Sequence, residues 1–176
     1  MPTIISHPAV PLALAAGLGR EVVSERLLLV GIAASVLPDL DVLAFRLGIP
    51  YADDFGHRGF SHSLFFAALV ALAAGVAFHA LRTTFARAFW FVFIATASHG
   101  VLDSFTNGGF GVAFLWPWTG ARYFAPMQVI EVSPIGIRPF FSAWGVRVLV
   151  SELIWVWAPC AILTALTLAA RKTVAR

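Results

Sequence analysis

The run from Ser63 to Leu81, SLFFAALVALAAGVAFHAL, contains no Asp, Glu, Lys or Arg. A helix needs ~20 apolar residues to cross the hydrocarbon core of a bilayer, so this run is long enough to span one. Val146–Ala170, VRVLVSELIWVWAPCAILTALTLAA, is a second such stretch, and Phe85–Val101, FARAFWFVFIATASHGV, a third. Apolar residues make up 60% of the chain and charged residues 12%. Soluble domains carry about 25% charged residues. A chain of 176 residues suits one domain, residues 1–176, and one core of that size cannot hide so much apolar surface. Lipid has to cover the rest.

The first forty residues hold two shorter runs, Pro8–Leu18 and Leu27–Leu37, parted by Arg20, Glu21, Glu25 and Arg26. They read as a helical hairpin whose arms cross or only dip into the membrane. Proline and glycine gather between residues 106 and 145, which predicts a long irregular segment. The expected fold is all-α, a polytopic membrane helical bundle with four or five spanning or re-entrant helices. No basic residue precedes the first apolar stretch, so it is expected to be retained and not cleaved as a signal peptide. Cys160 stands alone inside an apolar run, which excludes a disulfide framework and a thiolate zinc site.

The net charge of +3 comes from arginines, with Lys172 the one lysine. They form no basic stripe interleaved with aromatics, so a nucleic-acid partner is not expected. Arg20/Arg26, Arg82/Arg87 and the tail Arg171, Lys172 and Arg176 sit between or after apolar runs. The positive-inside rule puts all three groups in the cytoplasm. Residues 1–7, 38–62 and 104–145 then share the opposite side.

That side collects the rare polar residues. Of five histidines and five aspartates, only His79 maps towards the cytoplasmic end. Ionisable groups at membrane depth are costly and mark function or pairing. His99 and Asp103 stand at i and i+4, on one helix face, spaced to ligate one ion or to pair. In FGHRGFSHSL, Ser61 is read as an N-cap, His62 as the opening of a helix and His57 as reaching in from the loop. Asp39 and Asp41, in LPDLD, follow a proline expected to end a helix, and His7 precedes Pro8 at the start of the first helix. The candidate ligands are therefore His7, Asp39, Asp41, His57, His62, His99 and Asp103. One zinc takes about four ligands, so this set suits two ions. Imidazole and carboxylate without sulfur favour zinc, with manganese or iron next. Two ions ~3.5–4 Å apart activate a water and hold an anionic phosphoryl group. Arg58 is the candidate guanidinium clamp on that phosphate, and Asp39 or Asp41 the candidate general base if not a ligand.

Each motif also has a plainer reading. A lone HxxxD is more often a cap or ion pair, PDLD a turn, and Arg58 a headgroup or carboxylate partner. Convergence on one side of one membrane is what argues for a metal site. His79 is read as interfacial, and Asp53 and Asp54 as loop solvation. Glu131 is a weaker candidate ligand. Glu152, inside the last helix, is read as a helix-to-helix hydrogen bond or a site member. Trp116, Trp118, Tyr123 and Phe124 are expected in an interfacial belt, and with Phe140, Phe141 and Trp144 to roof a lipid-facing cleft.

The order LPDLD, GHRGFSHSL, SHGVLDSFTNGG and FLWP resembles the bacterial membrane-bound metal-dependent hydrolases typified by the YdjM inner-membrane protein. The likeness covers about residues 6–145. It implies the same seven metal ligands, a bacterial cytoplasmic-membrane location, and a distant similarity to the zinc-dependent phospholipase C and single-strand nuclease superfamily. One departure is Val42, where family members often carry a histidine. The function expected is metal-dependent hydrolysis of a phosphoester in a lipid or lipid-linked substrate. The rival is a metal or proton transporter, or a non-catalytic metal-binding membrane partner.

Overall fold

The computed structural model describes residues 1–134 and 137–174; Arg176 of the basic tail lies outside them. Helix α1 (Ala9–Leu18) turns into α2 (Glu25–Val36), which runs through a 3-10 turn (Leu37–Val42) into α3 (Leu43–Arg46). A loop leads to α4 (Leu64–Val76) and then to α5 (Phe85–Ser104). After a long irregular segment come α6 (Ile137–Phe140), α7 (Ala143–Glu152), a π-helical turn (Leu153–Trp157) and α8 (Ala158–Val174). The described residues form no β-strand, only isolated bridges such as Thr106 with Ile130.

Hydroxyl caps set the starts. Ser24 accepts from Leu27 N (3.1 Å) and Thr84 from Arg87 N (3.3 Å). Ser63, not the expected Ser61, caps α4 by accepting from Phe66 N (3.0 Å). The adjacent Ser61 hydroxyl is drawn away by the stronger pull of a carboxylate, Asp41 Oδ2, at 2.6 Å.

Two expectations about helix ends are corrected, and the last run, a span as expected, carries a bulge. Pro38 does not end its helix: it sits in the first turn of the 3-10 segment, where a missing N–H costs nothing, and the helical path continues to Arg46. The Ser63–Leu81 run forms only 13 residues of regular helix, ~20 Å at 1.5 Å per residue. Beyond Val76 the chain turns, and the 24–26 corner takes its carbonyls: Ser24 Oγ donates to Leu81 O and Arg26 Nη1 to Ala80 O (2.9 Å). The last run bulges at Leu153–Trp157, just ahead of Pro159, which has no N–H to continue the α pattern.

Helices α2, α4 and α5 pack around Leu27, Ala34, Ala71, Ala74, Ala88, Phe91 and Val92. Gly31 lets Phe91 lie against the α2 backbone, where a Cβ would stand 2.4 Å from its ring. Helix α8 lies along α1, and Ala9, Ala13 and Ala16 with Ala161 and Ala165 line the groove between them. The other side of α8, with the π turn before it, exposes Leu153, Ile154, Ile162, Leu163 and Leu166, an apolar stripe suited to lipid. Glu25–Arg46, Phe85–Ser104 and Ala143–Thr173 are each long and apolar enough to cross a membrane, and Ala9–Leu18 and Leu64–Val76 are shorter apolar helices.

The basic corners meet at one end of the bundle. Arg87 Nη1 donates to Glu21 O (3.0 Å), Arg171 Nη1 to Gly17 O (3.1 Å), and Arg171 pairs with Glu21. Helices α2 and α5 both start there and run to the other end, which carries Asp39, Asp41, His99 and Asp103.

Candidate metal centre

At that far end four elements deliver side chains to one point. Helix α5 presents His99 and Asp103 from one face, both fully buried, as their i, i+4 spacing requires. The 3-10 turn after α2 swings Asp39 inward. The Phe60–His62 turn delivers His62, and the segment before α1 delivers His7.

Asp39, His62, His99 and Asp103 form a buried group that can hold a metal ion. His62 Nε2 is 3.1 Å from His99 Nε2 and 3.3 Å from Asp103 Oδ2, and His99 Nε2 is 3.2 Å from Asp39 Oδ1. Tetrahedral bonds of ~2.0–2.1 Å set ligand atoms about 3.3 Å apart, so these separations match the edges of such a site. His7 stacks on His99 with ring centroids 3.6 Å apart, its Nε2 3.7 Å from Asp39 Oδ2 and 3.9 Å from Asp103 Oδ1. Both carboxylate oxygens of Asp39, Oδ1 of Asp103 and both ring nitrogens of His7 are buried without a hydrogen-bond partner, while Asp103 Oδ2 faces Arg58 and His62. Buried polar atoms are almost always partnered, so this concentration of orphans at one point fits a bound cation.

The outer contacts set the tautomers. His99 Nδ1–H donates to Ser35 O (2.7 Å), which leaves Nε2 as the bare nitrogen facing the cluster. His62 Nδ1 lies 3.1 Å from Asp41 Oδ2, again turning Nε2 inward. Burial, and next the neighbouring His99, hold the His7 pKa well below its ordinary value, so the ring is neutral and free to coordinate. Burial would lower His62 too, but its hydrogen bonds to Asp103 and Asp41 prevail and push it up to about 9.

Asp41 and His57 stand apart from this group. Asp41 Oδ1 meets His57 Nδ1 at 2.5 Å, and Oδ2 accepts from Ser61 Oγ (2.6 Å) and Arg58 N (3.1 Å) besides facing His62. Asp41, His57 and His62 are close enough to make a second metal-holding group, but an ion there displaces hydrogen bonds already made. Asp41 therefore reads as the carboxylate that orients two histidines, and as ill placed for a general base.

Arg58 takes the plainer of its two expected roles, a carboxylate partner, and its guanidinium is already bonded. Its side chain is fully buried, with Nε 2.9 Å from Asp103 Oδ2. Nη1 donates to Gly108 O (3.1 Å) and Phe110 O (2.9 Å), and Nη2 to Thr106 Oγ1 (2.8 Å). A left-handed backbone (φ +63°) aims it inward. It joins Asp103 to the 106–110 loop, a tie foreshadowed in sequence only by the turn-forming TNGG. A cavity of about 340 Å³ is lined by Tyr51, His57, Arg58, Val132, Ser133 and Trp144 among others, with Arg58 linking it to Asp103 of the group.

The remaining residues lie elsewhere. His79 packs on Phe78 at the arginine end, and Asp53 caps its own turn at Phe55 N (2.9 Å). Glu131 and Glu152 are outside both groups. Trp116 packs with Phe55, Phe60 and Phe65, while Trp118 and Phe141 stand exposed.

The chain is similar to inner membrane protein YbcI of Escherichia coli (strain K12), 47% identical over 160 residues, which cover 90% of this chain and 92% of that protein. No solved structure matches it. The family model of the YdjM inner membrane protein matches residues 1–174, and the chain belongs to that family.

Proposed function

We propose that this chain is a metal-dependent hydrolase of the inner membrane that cleaves a phosphoester in a lipid or lipid-linked substrate. The observation that carries the reading is the meeting of orphaned buried carboxylate and imidazole atoms, joined through Arg58 to a cavity that also reaches His57. Asp39, His62, His99 and Asp103 would hold the ion, with His7 as a further donor. A divalent ion there supplies Lewis acidity towards a phosphoryl oxygen and acidifies a water. Zinc suits the nitrogen and oxygen donors best, with manganese or iron next. A second ion at the Asp41–His57–His62 group would have to displace the hydrogen bonds that Asp41 already makes, so the reading rests on the first ion.

The protein's own groups shape the rest. Asp41 fixes the His57 and His62 rings through their Nδ1 atoms. Arg58 holds Asp103 in place and sets a positive charge behind the cavity wall, which favours an anionic group there. Tyr51 packs edge-on against His57 and, with Trp144, gives the cavity apolar walls suited to a lipid-borne substrate. A distant kinship with zinc-dependent phospholipases, implied by the sequence resemblance alone, is part of the same proposal.

The test is metal content of the purified protein together with release of phosphate-bearing products from a panel of phospholipids and lipid-linked phosphates. Metal-dependent release that His99→Ala and Asp103→Ala abolish is the expected result. A second reading, a metal or proton transporter, draws on the helix irregularities at Asp39/Asp41 and at Glu152, since transporters bind ions at broken helices. Metal flux into liposomes, with no product from any lipid, would decide for it.

A further inference from the structure

Glu152 is the one charge between Arg147 and Arg171, it is 1% exposed, and the mechanism above does not use it. A carboxylate taken out of water inside an apolar helix is costly unless its oxygens are bonded. Here they are: Oε1 accepts from Thr3 N, and Oε2 from Thr3 Oγ1 (2.6 Å) and Ser6 Oγ (2.7 Å). Trp157 Nε1 donates to the same Ser6 Oγ at 3.1 Å. The π turn Leu153–Trp157 makes this grip possible. In a regular α-helix, at ~100° per residue, Glu152 and Trp157 would point about 140° apart. The i→i+5 pattern of a π turn brings them towards one face.

The residue after the gripped segment is His7, whose ring nitrogens lack partners and face Asp39 and Asp103. Residues 1–8 form no regular helix, so an external anchor has to place them. The α7–α8 path supplies that anchor while giving no ligand to the buried group.

We infer that Glu152 is a positioning residue of the metal centre, holding Thr3 and Ser6 so that His7 is presented to the ion as a fifth donor. The inference rests on the metal reading above. Its test is zinc affinity of the full-length protein in detergent, read by competition with a chromophoric chelator. His7→Ala weakens zinc binding, and Glu152→Gln, which keeps the shape but sets an NH₂ against hydroxyl and amide donors, weakens it by about tenfold. In the His7→Ala background Glu152→Gln brings no further loss, because its effect passes through His7. Ser6→Ala removes a single bond, gives the same pattern more mildly, and takes over if Glu152→Gln does not purify folded. Additive losses in the double variant would overturn the inference, since Glu152 would then act on the fold and not on His7. Unchanged affinity in both Glu152→Gln and Ser6→Ala would overturn it as well. A wild-type protein that binds no zinc would overturn the metal reading, and this inference with it.

Discussion

Two aspartates separated by one residue have come to differ in what surrounds them. Asp39 has no hydrogen-bond partner for either oxygen, whereas Asp41 is bonded at both. Asp39→Asn should therefore abolish metal retention, and Asp41→Asn should weaken it ~10–100-fold, the usual cost of losing an outer hydrogen bond to a ligand histidine. Titration of the purified variants with zinc checks this, and equal loss in both would place Asp41 among the ligands. The LPDLD motif gives no hint of the difference, because the 3-10 turn that swings one carboxylate inward depends on the packing of the Phe60–His62 turn. His99 and Asp103 were legible because helical spacing alone puts them on one face. For Arg58 the sequence offers a carboxylate partner as the plainer reading but not which one, because a left-handed backbone sets the direction in which its side chain leaves the chain. The raised His62 pKa carries a pH dependence. In the metal-free protein His62 is charged at pH 7, and the stabilisation from its pairing with Asp103 and Asp41 is present below its ordinary pKa and lost as pH rises through about 9. Zinc has to displace that proton, so apparent affinity should climb by up to ~10-fold per pH unit and level off near 9, with proton release at pH 7 measurable by calorimetry in two buffers.

The same group depends on how closely two elements approach. Gly100, next to His99 on α5, faces the turn that carries His62, and a Cβ there would lie 2.8 Å from His62 O and 3.2 Å from the Phe114 ring. Neither backbone can yield without shifting His62 against His99. Gly100→Ala should cost about 1–3 kcal/mol of stability, as overpacking does, and should weaken metal binding as well. Thermal unfolding and zinc titration of one preparation check both, and an Ala variant with unchanged affinity would show that the 60–62 turn moves independently of α5. Helix positions were largely readable from apolar runs and hydroxyl caps, because both act locally. Their lengths were not. The end of α4 is set by what Ser24 and Arg26 offer to Leu81 and Ala80, residues far apart in sequence, and the choice of Ser63 over Ser61 as cap follows from Asp41's claim on Ser61.

For the whole molecule, one question of direction follows from charge. The corners bearing Arg20, Arg26, Arg82 and Arg87 meet α8's Arg171 at one end of the bundle, tied by Arg26 to Ala80, Arg87 to Glu21 and Arg171 to Gly17. The opposite end has arginines too, but two of them are spent inside the protein. Arg58 is buried against Asp103, and Arg122 donates to the carbonyls of His57 (3.0 Å) and Asp53 (2.9 Å). The corner arginines are bonded too, but Arg26 and Arg87 stay at the exposed surface while Arg58 is fully buried. The count of seven cations against five favours the corners as the cytoplasmic end. The metal-holding group is therefore expected on the non-cytoplasmic face, where an ion and a lipid headgroup from the outer leaflet can both reach it. A reporter fused after Arg176, or set into the Arg82–Arg87 corner, should read as cytoplasmic, and a tag between Thr119 and Arg122 as external. If the 119–122 tag also reads as cytoplasmic, residues 104–134 and the metal-holding group lie on the cytoplasmic side, and the substrate has to be sought among inner-leaflet lipids.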